Sequence, residues 1–174
     1  MQKDNTRDIT IIDERVPERT LVARSRKEVQ AYQVATKHFE QAVAALNAKN
    51  YPHAVSEFQA ALTHNTDFAE AHFYLGLAYF MLGDYAKAQA AYQKAAECEP
   101  GDAMIHLHLG ITHQLLQHPD EAIVCYKMAI ALAPNDAEAY SRLGSVYAAQ
   151  GKRAEAVAAY KAAIQAKLNS SYEQ

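Results

Sequence analysis

His38, His72 and His106 recur at a constant 34-residue interval, and His108 and His113 follow within the run HLHLGITH. Imidazole binds zinc and copper well, so this grouping first raises the question of a metal site. His106 and His113 lie seven residues apart and therefore on one face of a helix. Cys98 and Cys125 are the only cysteines, and they lack C-x-x-C spacing. Nothing marks either as a nucleophile, and reduced, buried thiols are expected. Carboxylates are plentiful, but they read as solvated helix faces and caps. The sequence has no G-x-S-x-G, H-E-x-x-H, phosphate-binding glycine loop or dinucleotide fingerprint. Enzymatic activity is therefore not expected.

The histidine interval belongs to the whole chain. Leu75, Leu109 and Leu143 share it, each followed by glycine at 76, 110 and 144. Ala54, Ala88, Ala122 and Ala156 form a second column, Phe58, Tyr92, Tyr126 and Tyr160 a third, and Ala61, Ala95, Ala129 and Ala163 a fourth. A period of that size marks a repeat array, not a single globular core. Each period reads as two amphipathic helices with a short break. In the second, Ala69 to Leu82 is helix A, GDY at 83–85 the turn, and Tyr85 to Cys98 helix B. Gly83 supplies the backbone angles that end helix A. Asp84 can cap helix B, and Asp67, Asp102 and Asp136 are natural caps for the following A helices. Pro100 and Pro134 stop two B helices. One hairpin cannot cover its own apolar face, but stacked hairpins cover one another.

The bulk properties agree with an all-α chain. Half of the 174 residues are apolar, alanine is abundant, and tryptophan is absent. Net charge is −3 without a basic stripe, so nucleic acid is not an expected partner. No apolar run approaches the roughly 20 residues that span a bilayer, so direct membrane insertion is not expected. The first thirty residues are charged throughout, unlike a signal peptide. A cytoplasmic location is expected.

The columns resemble the tetratricopeptide repeat (TPR) family, most closely as LGLAY…GDYAKA…Y…A…P and LGSVY…GKRAEA…Y…A. The resemblance covers about residues 35–168 in four units, 35–68, 69–102, 103–136 and 137–168, within an array spanning 25–168. Unit one departs from it, with Gln41-Ala42 for Leu-Gly and no closing proline. Unit three has His113 for an aromatic residue and Gln117 for the turn glycine. The resemblance implies a right-handed superhelical α-solenoid of stacked antiparallel helix pairs. It also implies that helix A residues line a concave binding face. Those positions give Phe39 and Val43 in unit one, Phe73, Leu77, Phe80 and Met81 in unit two, and Met104, Leu107, Ile111 and Leu115 in unit three. The corresponding positions of unit four are mostly small or polar, including Glu138, Ser141 and Ser145. An apolar stripe of this size points to a protein or peptide ligand, apolar or amphipathic.

The same resemblance bears on the histidines and on chaperone binding. His38, His72 and His106 fall where the family places a large packing residue, and His113 falls in its aromatic column. One polar contact each is expected, with no metal and no cofactor. Some family members hold a chaperone C-terminus with a two-carboxylate clamp of lysines, asparagines and arginine. The clamp positions here hold Phe39 and Val43, or Phe73 and Leu77, and only Arg142 matches. A carboxylate-clamp ligand is therefore not expected.

Both ends lie outside the repeats. Residues 1–24 mix charges around the apolar patch Ile9, Ile11 and Ile12 and read as a flexible tail, with helix A of unit one starting near Ser25. Residues 169–174 read as a C-terminal tail, too short for another helix, which leaves Ile164 and Leu168 uncovered. The expected function is a non-catalytic scaffold or adaptor. A self-assembling homo-oligomeric platform is one alternative, joined either through the exposed end at Ile164 and Leu168 or by docking of the tail around Ile9, Ile11 and Ile12 into another copy's groove. A non-catalytic subunit or fragment of an enzyme such as a glycosyltransferase is another.

Overall fold

Alanine-rich, proline-punctuated stretches fold into α-helices along the whole described length. The structure is a computed structural model and describes residues 26–172. The segment 1–24, with Ile9, Ile11 and Ile12, lies outside the described residues. The helices are α1 (Arg26–Asn47), α2 (Tyr51–His64), α3 (Ala69–Met81), α4 (Tyr85–Cys98), α5 (Ala103–Leu115), α6 (Pro119–Leu132), α7 (Ala137–Ala149) and α8 (Arg153–Tyr172). They pair as α1/α2, α3/α4, α5/α6 and α7/α8, and successive pairs join through α2 on α3, α4 on α5 and α6 on α7. The result is an all-α solenoid of stacked helix pairs.

The glycine column has a direct physical cause. A Cβ built on Gly76 would lie 2.7 Å from the Tyr92 ring, and one on Gly110 would lie 2.5 Å from Tyr126. Helix A surrenders its side chain there so that the aromatic ring of helix B can lie flat on its backbone. Unit one solves the same contact with Ala42 beside Phe58, both fully buried. Tyr126 then donates a hydrogen bond to Gln114 Oε1 at 2.9 Å. Phe80 occupies the matching position in unit two, and the buried Tyr92 hydroxyl has no protein partner among the described residues.

Caps follow the sequence with one correction. The carboxylates of Asp84, Asp102 and Asp136 accept from the backbone N–H of Lys87, Met104 and Glu138. Asp67 does not cap α3. The column residue there is Phe68, which holds the N-cap position without a side-chain bond and packs its ring 4.8 Å from Phe39. Burying that ring replaces a cap by a hydrophobic contact. Asp67 accepts from Thr66 Oγ1 instead.

The A-to-B turns need a left-handed residue. Gly83 and Gly151 take it at φ 79° and 74°, but Lys49 and Gln117 are forced to 59° and 62°. A side chain costs about 1 kcal/mol in that region. Gln117→Gly should therefore raise the denaturation midpoint by about 0.5–1 kcal/mol of stability, while Gln117→Ala should not.

Two end features differ from expectation. The helix α8 continues through Tyr172 and has 20 residues, so positions 169–172 are helical and not a tail. Cys98, expected to be buried, is exposed at the last turn of α4, and Cys125 is half-buried.

Candidate functional site

Helices α1 and α3 touch across their shared neighbour, as do α5 and α7, so the A helices gather on one side of the array. That side carries the expected binding residues at graded depth. Met81, Met104 and Leu115 are exposed, at 51%, 50% and 44%. Val43, Leu77, Phe80 and Ile111 are half-buried. Phe39 and Phe73 are half-buried as well, but each is wedged into rings. Phe39 meets Phe58, Phe68 and Tyr74, and Phe73 meets Tyr74, Tyr92 and His108.

Leu107 is a correction. It is 3% exposed and lies in the core cluster with Ala139 and Leu143 of α7. Ala139, Leu143 and Val146 of α7 complete the cluster around the leucine. Sequence reasoning also missed exposed apolar residues. Leu82, just past the end of α3, is 46% exposed. Val124, Met128 and Leu132 form an exposed row along α6 at four-residue spacing. That spacing was legible, but it lies outside the helix A positions that the repeat pattern marks for binding.

Each periodic histidine makes one polar contact. The His72 ring donates to the Thr66 carbonyl at 2.8 Å and His106 to the Pro100 carbonyl at 3.0 Å. His38 pairs with Glu57 at 2.7 Å. The first two tie the inter-repeat loop to the helix that follows. Among the described residues, no group of three or more His, Cys, Asp or Glu side chains converges on a point that would hold a metal ion. Burial pushes the Cys125 thiol up to about 11, and burial beside Asp67 and Glu97 raises Cys98. These shifts are opposite to those of an activated thiolate.

His108 and His113 carry the pH signature of the fold. Burial lowers both below the usual histidine range, against weaker opposing pulls from Glu138 on His108 and Glu121 on His113. The folded chain thus refuses protons that the unfolded chain accepts. Stability is fully present above the ordinary histidine pKa of about 6.5 and falls as pH drops below it. Melting temperatures should fall from pH 7 to pH 5. His108→Tyr with His113→Tyr, which restores the residues found at Tyr74, Tyr79 and Tyr147, should flatten that slope.

At the last helix, Ile164 and Leu168 stand 62% and 48% exposed, joined by Val157 at 53% and Tyr160 at 39%. Beside them, Ile164, Lys167 and Glu138 border a shallow cleft of about 500 Å³ between α7 and α8. No described helix is long and apolar enough to cross a membrane.

The tetratricopeptide repeat family matches this sequence at residues 39–103 and 137–170, and a TPR repeat description matches residues 120–151. No curated protein matches the sequence. Among solved structures, the crystal structure of MamA superposes with a TM-score of 0.78 at 24% identity, covering 84% of this chain and 86% of that one. MamA 41-end from Desulfovibrio magneticus RS-1 gives 0.73 at 17%, covering 78% and 76%. The first TPR of Spaghetti (RPAP3) bound to the HSP90 peptide SRMEEVD gives 0.67 at 21%, covering 69% and 95%. At these identities the likeness is one of fold. With repeat matches lying over hairpins that pack neighbour on neighbour, the chain belongs to the tetratricopeptide repeat family.

Proposed function

We propose that this chain is a non-catalytic scaffold that holds an apolar or amphipathic protein segment along the A-helix side of its array. TPR arrays are protein-interaction scaffolds, and the observation that supports this reading is the exposure of Met81, Met104 and Leu115 beside half-buried Leu77, Phe80 and Ile111. Methionine is unbranched and adapts to varied ligand shapes. Glu138 and Arg142 pair with each other at 2.8 Å on α7, so the one residue that matches a clamp position is already engaged by a carboxylate. A chaperone C-terminus is accordingly not the proposed ligand. Both thiols are held above the ordinary thiol range, Cys125 by burial and the exposed Cys98 by partial desolvation beside Asp67 and Glu97, which does not favour a catalytic role. The proposed location is cytoplasmic.

Peptides selected on this protein from a random displayed library should be rich in leucine and aromatic residues. Their affinity should fall at least tenfold on Met81→Glu with Met104→Glu, with the melting curve unmoved. Selected peptides that bind the double variant equally well would remove the groove from consideration. A second reading, self-association, is favoured by the exposure of Ile164 and Leu168.

A further inference from the structure

We propose that α8 joins two copies of this chain in a closed, two-fold dimer. The proposal rests on the self-association reading and is independent of the groove.

The array itself shows what the α8 face is built for. Phe58, Tyr92 and Tyr126 are each 0% exposed, while Tyr160 in the same column is 39% exposed. Val157 matches Ile123, which is 8% exposed, and Ile164 matches half-buried Ile130. At the inner joint, α7 covers Ile123, Tyr126 and Ile130. No described element covers their counterparts on α8. The stripe continues to Leu168, so its length is about 16 Å at the ordinary helical rise.

The other end of the array cannot serve as the cover. Helices α3, α5 and α7 present Ala71, Ile105 and Ala139, then Leu75, Leu109 and Leu143, to the preceding unit. In α1 those columns hold Lys37 and Gln41, both exposed. Head-to-tail stacking would bury an ammonium and an amide against Val157, Ile164 and the Tyr160 ring, where one phenol hydroxyl is the sole polar group of the stripe to receive them. The array thus has a polar front and an apolar back.

The back is complementary to itself. The stripe steps by three, four and four residues, and an antiparallel second α8 places Val157 opposite Leu168 and Tyr160 opposite Ile164. Such an isologous contact closes on itself and stops at two copies. Exposed Lys161 flanks the stripe close to the two-fold axis and faces its own copy. The like charges weaken association at low salt, so screening tightens it. An acidic partner helix would respond in the opposite sense.

Sedimentation equilibrium on the full chain tests this. The mass should rise with concentration to twice the 19.3 kDa of one chain and no further. Association should strengthen at least severalfold from about 0.05 M to about 0.5 M salt. Ile164→Lys should remain a monomer with an unchanged melting curve, because the residue is exposed. With Cys98 and Cys125 changed to serine, Lys161→Cys should form a disulfide dimer, and Glu155→Cys on the far side of α8 should not. A chain that stays monomeric at every concentration overturns self-association as a whole. Assemblies that persist in Ile164→Lys, grow beyond two copies or loosen with salt overturn the α8 geometry while leaving association through another surface.

Discussion

Tyr126→Ala should cost about 3–5 kcal/mol, a large share of the stability of a domain this size. The ring is fully buried, lies on Gly110, and fills the joint between the third and fourth hairpins. Its loss opens a cavity and also removes the hydrogen bond to Gln114. The matching change Tyr160→Ala should cost far less, because that ring is only partly covered. Gly110→Ala should cost about 1–3 kcal/mol by overpacking, less the small gain in helix propensity. Combined with Tyr126→Leu, the Gly110→Ala penalty should shrink, since the two act through one contact. Urea melts followed by circular dichroism would measure each value. Equal costs at Tyr126 and Tyr160 would refute the joint assignment.

The second large effect separates two neighbours on α5. Leu107→Glu should abolish folding or leave a chain destabilised by several kcal/mol, because a carboxylate would be sealed among the apolar groups of Ala122, Tyr126, Ala139 and Leu143. Met104→Glu, three residues earlier and half-exposed, should shift stability by no more than about 0.5 kcal/mol. Thermal melts of the two variants decide the point. A stable Leu107→Glu would restore that residue to the accessible face.

The architecture was legible because the columns are redundant. One glycine or one tyrosine says little, but Gly76, Gly110 and Gly144 in phase with Tyr92, Tyr126 and Tyr160 fix both the period and which helices touch. Turns were legible wherever glycine or Asp-capped residues stood in phase. What the pattern could not supply was depth. Leu107 and Phe73 occupy the same column, yet one is sealed and the other half-exposed, because cover is set by how each side chain packs with its neighbours and not by its place in the period. Asp67 misled for a related reason. Phe68 stands in the column of Asp102, and an aromatic cluster outweighed a capping bond. The far reach of α8 was hidden because residues 169–174 read on their own as too short for another helix, whereas 169–172 continue α8 itself.

The gathering of A helices on one side has a mechanical meaning. Each hairpin leans mainly on the ones beside it, so the array has three joints and little bracing beyond them. The contacts between hairpins are thinner than those inside each hairpin, so a pull on the two ends falls on the joints first and reaches the buried ring-on-glycine contacts within a hairpin last.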